Sequence, residues 1–190
     1  MSIETQLSEG NLVRLTPIDH EKDPEVESRW THDLVLGRAL WRQPAMPLSV
    51  AKVKKKNEAI EKDVDESKRL FHFMIRDRQD NRLLGFVRKE GIEWSHATGS
   101  LKLAIGDRAE RGKGFGGEAL ELMLRFAFSE LNLRRVTLDA FEYNPRAIRC
   151  CEKAGFVYEG RAREYLCRKG LRWDLIFTGI LREEWSAGTG

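Results

Sequence analysis

A chain of 190 residues, 41% apolar and 33% charged, has the length for one domain with a proper core and the surface of a soluble globular protein. Its 33 basic and 30 acidic side chains leave a net charge of +3, a mixed balance without the basic excess of a dedicated nucleic-acid binder. No apolar run has bilayer length, the first residues lack a secretory pattern, and Cys150, Cys151 and Cys167 show no metal-ligand spacing, so the expectation is a cytoplasmic chain with free thiols, no metal and no membrane or nucleic-acid partner.

Leu12 to Thr16 alternates apolar and polar residues before Pro17, as a strand does. Asp23-Pro24 reads as a helix start, with Asp23 as N-cap and Val26 and Trp30 turned inward. Leu34 to Pro47 lacks clean periodicity and reads as an irregular or short helical connection. From Ser49 a second helix is predicted, with Val50, Val53, Ile60 and Val64 on one stripe and Lys54-Lys55-Lys56 on a solvated face. Leu70 to Ile75, a polar turn over Asp77 to Asn81, and Leu83 to Val87 predict a hairpin, followed by a polar connection from Trp94 to Gly99 and a strand ending at Ile105. Helices followed by an antiparallel meander point to an α+β architecture.

The next stretch, Arg111-Gly112-Lys113-Gly114-Phe115-Gly116-Gly117, places four glycines in six residues between a strand and a long amphipathic segment from Glu118 to Leu131. Glycine lets successive backbone N–H groups turn toward one point, and the helix start adds its own free N–H groups and dipole end. Such a junction suits an anion, most naturally phosphate. Arg135 to Ala140 is a strand, so the strand–helix–strand sequence predicts a crossover between parallel neighbours. Asn144-Pro145 opens a shorter helix that ends at Gly155, and Phe156 to Gly160 and Leu171 to Leu181 form a last strand pair. One domain over residues 1–190 is expected, with about 1–10 and 186–190 flexible.

A Walker A loop is excluded, because Lys113 is followed by Gly114 rather than a hydroxyl residue. A dinucleotide fingerprint fits Gly112, Gly114 and Gly117 formally, with Asp139 as its acid, but no repeated parallel βαβ units surround it. Arg111 to Gly116 instead resembles the R/Q-x-x-G-x-G/A signature of the GNAT family of N-acetyltransferases. Asn144 to Phe156 is similar to that family's N-x-x-A-I-x-x-Y-E-K-x-G-F box, and the late strands with Trp173-Asp174 resemble its ribosomal-protein-alanine and spermidine acetyltransferase branch. The resemblance implies a mixed, mostly antiparallel sheet of about seven strands with helices on both faces.

It also implies a site. Acetyl-CoA would be the donor, its pyrophosphate held by backbone N–H groups of Arg111, Gly112, Lys113, Gly114, Phe115, Gly116 and Gly117. The pantetheine arm would pair at Leu103, Ala104 and Ile105 in a gap beside the following strand, where a free N–H could polarise the thioester. Asn144 would contact the arm, a role compatible with capping its helix. The acceptor would be a primary amine, either a small molecule such as a polyamine or a protein N-terminus, and a homodimer is compatible with the family. Where many members carry a tyrosine this chain carries Cys151, which suits a packing residue, an acid for the thiolate or, least in keeping with direct transfer, an acetyl carrier. The same departure leaves room for an alternative, a non-catalytic acyl-CoA sensor or interaction module. Glu90, Glu93, His96 and Glu142 are candidate bases, Tyr165, Trp173, Trp30 and Trp41 candidate walls of the acceptor pocket. Glu58, Glu61, Asp63, Asp65 and Glu66 are carboxylates that a polyamine would want.

Overall fold

The structure is a computed structural model that describes residues 8–188. Seven strands form one mixed sheet in the order β1-β2-β3-β4-β5-β7-β6, with β1 Val13–Thr16, β2 Phe71–Asp77, β3 Leu83–Glu93, β4 Thr98–Ile105, β5 Arg135–Phe141, β6 Val157–Arg168 and β7 Leu171–Leu181. Every neighbouring pair is antiparallel except β4 and β5, which run parallel across the crossover. The helices are α1 Asp23–Thr31, α2 Leu34–Leu40, α3 Val50–Ser67, α4 Phe115–Arg125, α5 Pro145–Lys153 and α6 Arg182–Gly188. The α+β expectation and the seven-strand sheet are both met.

Alternation along the strands sorts side chains onto two faces. One face, with Ile75, Leu84, Val87, Leu101 and Val136, buries the apolar stripe of α4 through Ala119, Leu120, Met123 and Leu124. The other, with Met74, Phe86 and Ala104, packs on Ile18, Val26, Trp30, Leu36 and Leu40 from the chain around α1 and α2. Val26 and Trp30 therefore point inward as the sequence suggests. The α4 helix loosens into a π-helical turn over Phe126–Glu130 rather than continuing regularly to Leu131.

Several boundaries differ from the sequence reading, each for a local reason. The N-cap of α1 is Lys22, and Asp23 is its first helical residue. The Asp23 carboxylate turns inward to meet the Arg76 guanidinium at 2.7 and 2.8 Å, and both are buried. A buried cation needs a counterion more than the helix needs a cap. In α3, Ser49 caps the start, but Val50 is exposed and Asn57 joins Val53 on the buried stripe, because its amide donates to Glu27 at 2.6 Å. Strand β3 runs on to Glu93, so Glu90 and Glu93 lie on the strand rather than beyond it. Of the termini expected to be flexible, residues 8–10 pair with β1 through Glu9–Arg14 and Ser8–Leu15 contacts, and Ser186 closes onto the Arg182 carbonyl in α6. The remaining parts, residues 1–7 and 189–190, lie outside the described residues.

Candidate functional site

The parallel ladder between β4 and β5 has only three registered pairs, Thr98 with Arg135, Gly99 with Val136 and Ser100 with Thr137. Past Ser100 the strands diverge, β4 staying with β3 and β5 with β7. A cleft of about 480 Å³ opens between their C-terminal ends, lined on one side by Leu101, Lys102 and Leu103 and on the other by Leu138, Asp139, Ala140 and Phe141. On the β5 side of β4, backbone N–H and C=O groups beyond Ser100 have no strand to pair with, so apart from the Ile105 carbonyl, which Arg111 takes, they are available to an extended ligand. Asn144 and Ala147 line the same cleft at the start of α5, and Ala39 to Gln43 close it from above the sheet.

The glycine loop lies at the end of β4. Gly112 and Gly114 have φ of +86° and +96°, values that only glycine adopts freely, and Gly114 is the N-cap of α4. A Cβ at Gly112 or Gly117 would meet nothing within 4 Å, so those backbones face open space. The first-turn N–H groups of α4 have no intrahelical acceptor and stand beside the positive end of its dipole. The two cations of the loop divide their work. Arg111 turns back, donating to the carbonyls of Ile105 and Gly106 and to Asp33 at 2.8 Å, so it braces the loop against α2. Burial pushes the Asp33 carboxyl upward, but the Arg111 bond and the α2 backbone outweigh it and hold its pKa below the usual range. Lys113 is half exposed and leans on Glu110 at 3.1 Å, which leaves its ammonium beside the cradle. Glu118, in the first turn of α4, accepts from the backbone N–H groups of Asn11, Leu12 and Val13 at 2.7 to 2.8 Å, fastening β1 to the loop's helix.

Of the candidate catalytic residues, only Glu90 lines the cleft. Its carboxylate sits 3.1 Å from Arg88 Nε and 3.0 Å from Lys102 Nζ. Glu93 is ion-paired with Arg69 at the opposite end of the sheet, where β4 and β5 are still joined, and His96 lies in the turn that enters β4 there. Parallel strands that start together can only part further along, so both residues are separated from the opening. Glu142 braces β7, its carboxylate accepting from the Asp174 N–H at 3.2 Å. Cys151 is 1% exposed in the main core on α5, away from the cleft lining, and burial is the main cause that pushes its thiol up to about 12. Asn144 does cap α5, accepting from Ala147 N–H at 3.3 Å, while also facing the cleft. Trp41 lines the cleft, Trp30 packs in the core and Trp173 packs edge-on against Tyr143.

Two residues that were not singled out for this site shape the cleft, one in its lining and one behind its wall. Asp139, weighed in the sequence only as the acid of a dinucleotide fold, projects from β5 into the cleft two residues past the last ladder pair. Desolvation raises its pKa above the usual aspartate value, against the pull of Arg42 and Lys102, which makes it a better proton acceptor than an ordinary surface aspartate. Its position after the crossover helix was the only sequence signal. Arg168 donates to the carbonyls of Trp41, Arg42 and Gln43 at 3.0, 2.7 and 3.2 Å, holding the upper wall from β6, a contact with no sequence signal at all.

A family model described as an acetyltransferase (GNAT) domain matches residues 13–157. An uncharacterized N-acetyltransferase from the SPbeta prophage of Bacillus subtilis (strain 168) is 34% identical over 133 residues, 70% of this chain and 71% of that protein. Spermidine N(1)-acetyltransferase of Vibrio cholerae is 30% identical over 113 residues, 60% of this chain and 64% of that protein. The crystal structure of spermidine N-acetyltransferase from Vibrio cholerae in complex with CoA and spermine superposes with a TM-score of 0.79 at 22% identity, covering 93% of this chain and 99% of that one.

Proposed function

The chain belongs to the GNAT acetyltransferase family, an acetyl-CoA-dependent acyltransferase acting on amines, and we propose that the cleft between β4 and β5 is where the transfer takes place. The observation that carries this reading is the ladder that ends at Ser100–Thr137 with the glycine loop at the far end of β4. The loop from Arg111 to Gly117 holds the pyrophosphate through backbone N–H groups, with Lys113 as its adjacent cation. The stretch Leu103, Ala104 and Ile105, whose edge toward β5 has no strand partner, takes the pantetheine arm, and Asn144 borders it from α5.

The acceptor amine approaches from the Trp41 side and attacks the thioester carbonyl carbon. The carbon–sulfur bond breaks, the thiolate departs and the nitrogen sheds a proton. Asp139 accepts that proton, because it is the cleft carboxylate raised by desolvation and free of a direct ion pair. A backbone N–H of β4 beyond Ser100 faces the developing oxyanion. Glu90 is a poorer base, since Arg88 and Lys102 both stabilise its charged form. Cys151 has no part in proton transfer in this scheme. A thiol near 12 in the core is too weak an acid and too remote from the cleft, so the thiolate is left to water. The core is a dry setting for a small side chain, and packing is its role.

CoA release measured across primary amines tests the reading: acetyl-CoA-dependent release with matching amide product supports it, and tight acetyl-CoA binding with no turnover would favour a sensor. We further propose a cytoplasmic protein that dimerises through the sheet face carrying the exposed side chains of Val157, Leu171 and Phe177 on β6 and β7. No helix among the described residues is long and apolar enough to cross a membrane.

A further inference from the structure

On the sheet face under α2 and α3, three polar side chains stand in one row across adjacent strands. His72 on β2 is registered with Arg88 on β3, and Arg88 with Lys102 on β4. Lys56 reaches over this row from α3. The indole of Trp41 gathers three of the cations, with Lys102 Nζ at 4.9 Å, Lys56 Nζ at 5.1 Å and Arg88 Cζ at 6.0 Å from the ring centroid. Arg42, the next residue, lies 5.0 Å over the Tyr165 ring. Four cations from four parts of the chain thus gather at this corner, Arg42 and Lys102 in the cleft lining and Lys56 and Arg88 around the Trp41 ring that also lines it.

The carboxylates facing them do not complete the set. Glu90 is shared between Arg88 and Lys102, Glu27 lies toward Lys56 but is held by Asn57, and Asp139 stands nearest Arg42 and Lys102. Although Glu90 is within 3.1 Å, the Arg88 Nε–H is not aligned on it and has no hydrogen-bond partner, and neither ring nitrogen of His72 has one. Buried polar groups without partners are rare, and three in one row beside an excess of cations mark a place where an anion would be welcome. The same cations oppose one another: after desolvation, Arg88 and Lys102 are what depress the Lys56 ammonium.

We propose that the acceptor is a small primary amine that also carries a carboxylate or phosphate, the amine facing Asp139 and the anionic group facing Lys102, Arg88, Lys56 and Arg42 beside Trp41. This rests on the acetyltransferase reading and narrows its acceptor. A polyamine would bring a second ammonium into the cationic mouth. The acidic residues of α3 that might have balanced it do not line the cleft: Glu61 meets His20, Glu66 meets Lys62, and Glu58, Asp63 and Asp65 are absent from its walls.

The test compares kcat/KM at saturating acetyl-CoA for ethanolamine, O-phosphoethanolamine, β-alanine and spermidine. At least one anionic amine is expected to exceed ethanolamine about tenfold or more, with spermidine the poorest. Lys56→Gln and Lys102→Gln are each expected to bring the ratio of anionic to neutral amine toward one, and a thermal melt of each checks folding. Turnover in which spermidine or ethanolamine outpaces both anionic amines overturns the inference and leaves the acetyltransferase reading standing. CoA release with none of the four amines overturns the inference, and the acetyl-transfer reading is then decided separately by the wider panel of primary amines. An unchanged ratio in both folded variants overturns the cationic mouth as its cause.

Discussion

Replacing Gly114 with aspartate isolates the donor cradle from the fold. Gly114 caps α4 at φ +96°, and an added Cβ would lie 3.2 Å from Leu12 Cδ1, close enough to require a small shift of one flexible methyl. The left-handed backbone costs an L-residue roughly 1–2 kcal/mol, while aspartate gains only a few tenths of a kcal/mol over glycine as an N-cap. The net cost is roughly 1–1.5 kcal/mol, so the melting temperature should fall by about 2–6 °C in a variant that still folds. Binding responds differently. A fixed negative charge about 6 Å from a phosphate, at an effective dielectric constant of roughly 40, costs about 1.4 kcal/mol per phosphate charge. Two charges reduced by salt screening leave roughly 1–3 kcal/mol, about a 5- to 150-fold rise in the Kd for acetyl-CoA. Titration calorimetry on Gly114→Asp and Gly114→Asn, at low and high salt, separates charge from bulk: the gap between the variants should shrink as salt rises. A folded aspartate variant with the parent Kd would refute the placement of the pyrophosphate.

Asp139→Asn should lower kcat about 10²- to 10⁴-fold with little change in acetyl-CoA binding, and should remove an acidic limb of the rate profile lying above the ordinary aspartate range; stopped-flow thiol detection across pH checks both. Cys151→Ala should keep kcat and lose about 1 kcal/mol of stability in denaturant, since the thiol is packed in the core; a large loss of kcat in a folded variant would restore it as an acid. Asp23→Ala strands the buried Arg76 charge and should cost about 3–5 kcal/mol, most of it recovered by the paired change Asp23→Leu with Arg76→Met. His72 has its pKa lowered by burial, then by Arg88 and Lys56, to about 3, below its unfolded value. The unfolded chain therefore binds the extra proton between about pH 3 and 6.5, so this residue's contribution to stability is present above that window and lost as pH falls through it, with a slope of at most about 1.4 kcal/mol per pH unit that a His72→Phe variant should lack.

The glycine loop and the α5 box could be read from the chain because each is a local spacing tied to a local geometry. Gly112 and Gly114 take positive φ where the sequence asked for it, and Asn144 caps the helix it opens. The fold class followed from strand and helix order. What could not be read needed register. Whether Glu90 or Glu93 reaches the cleft depends on how far β3 extends and at which end β4 and β5 part, and neither is a property of a single stretch. The row His72–Arg88–Lys102 exists only once three strands are aligned, and Lys56 looked like an ordinary solvated helix residue until Trp41 was placed beneath it. The misreading of Asp23 has the same origin, because its partner Arg76 is 53 residues away.

Backbone amide chemical shifts recorded while acetyl-CoA is added give the most direct test of where the donor binds. The account predicts saturable shifts concentrated at Leu103 to Ile105, Arg111 to Gly117 and Asn144, with the amides at the closed end of the sheet around Glu93 and His96 unmoved. Saturable shifts centred anywhere other than the gap between β4 and β5, or none at high micromolar acetyl-CoA, would contradict it.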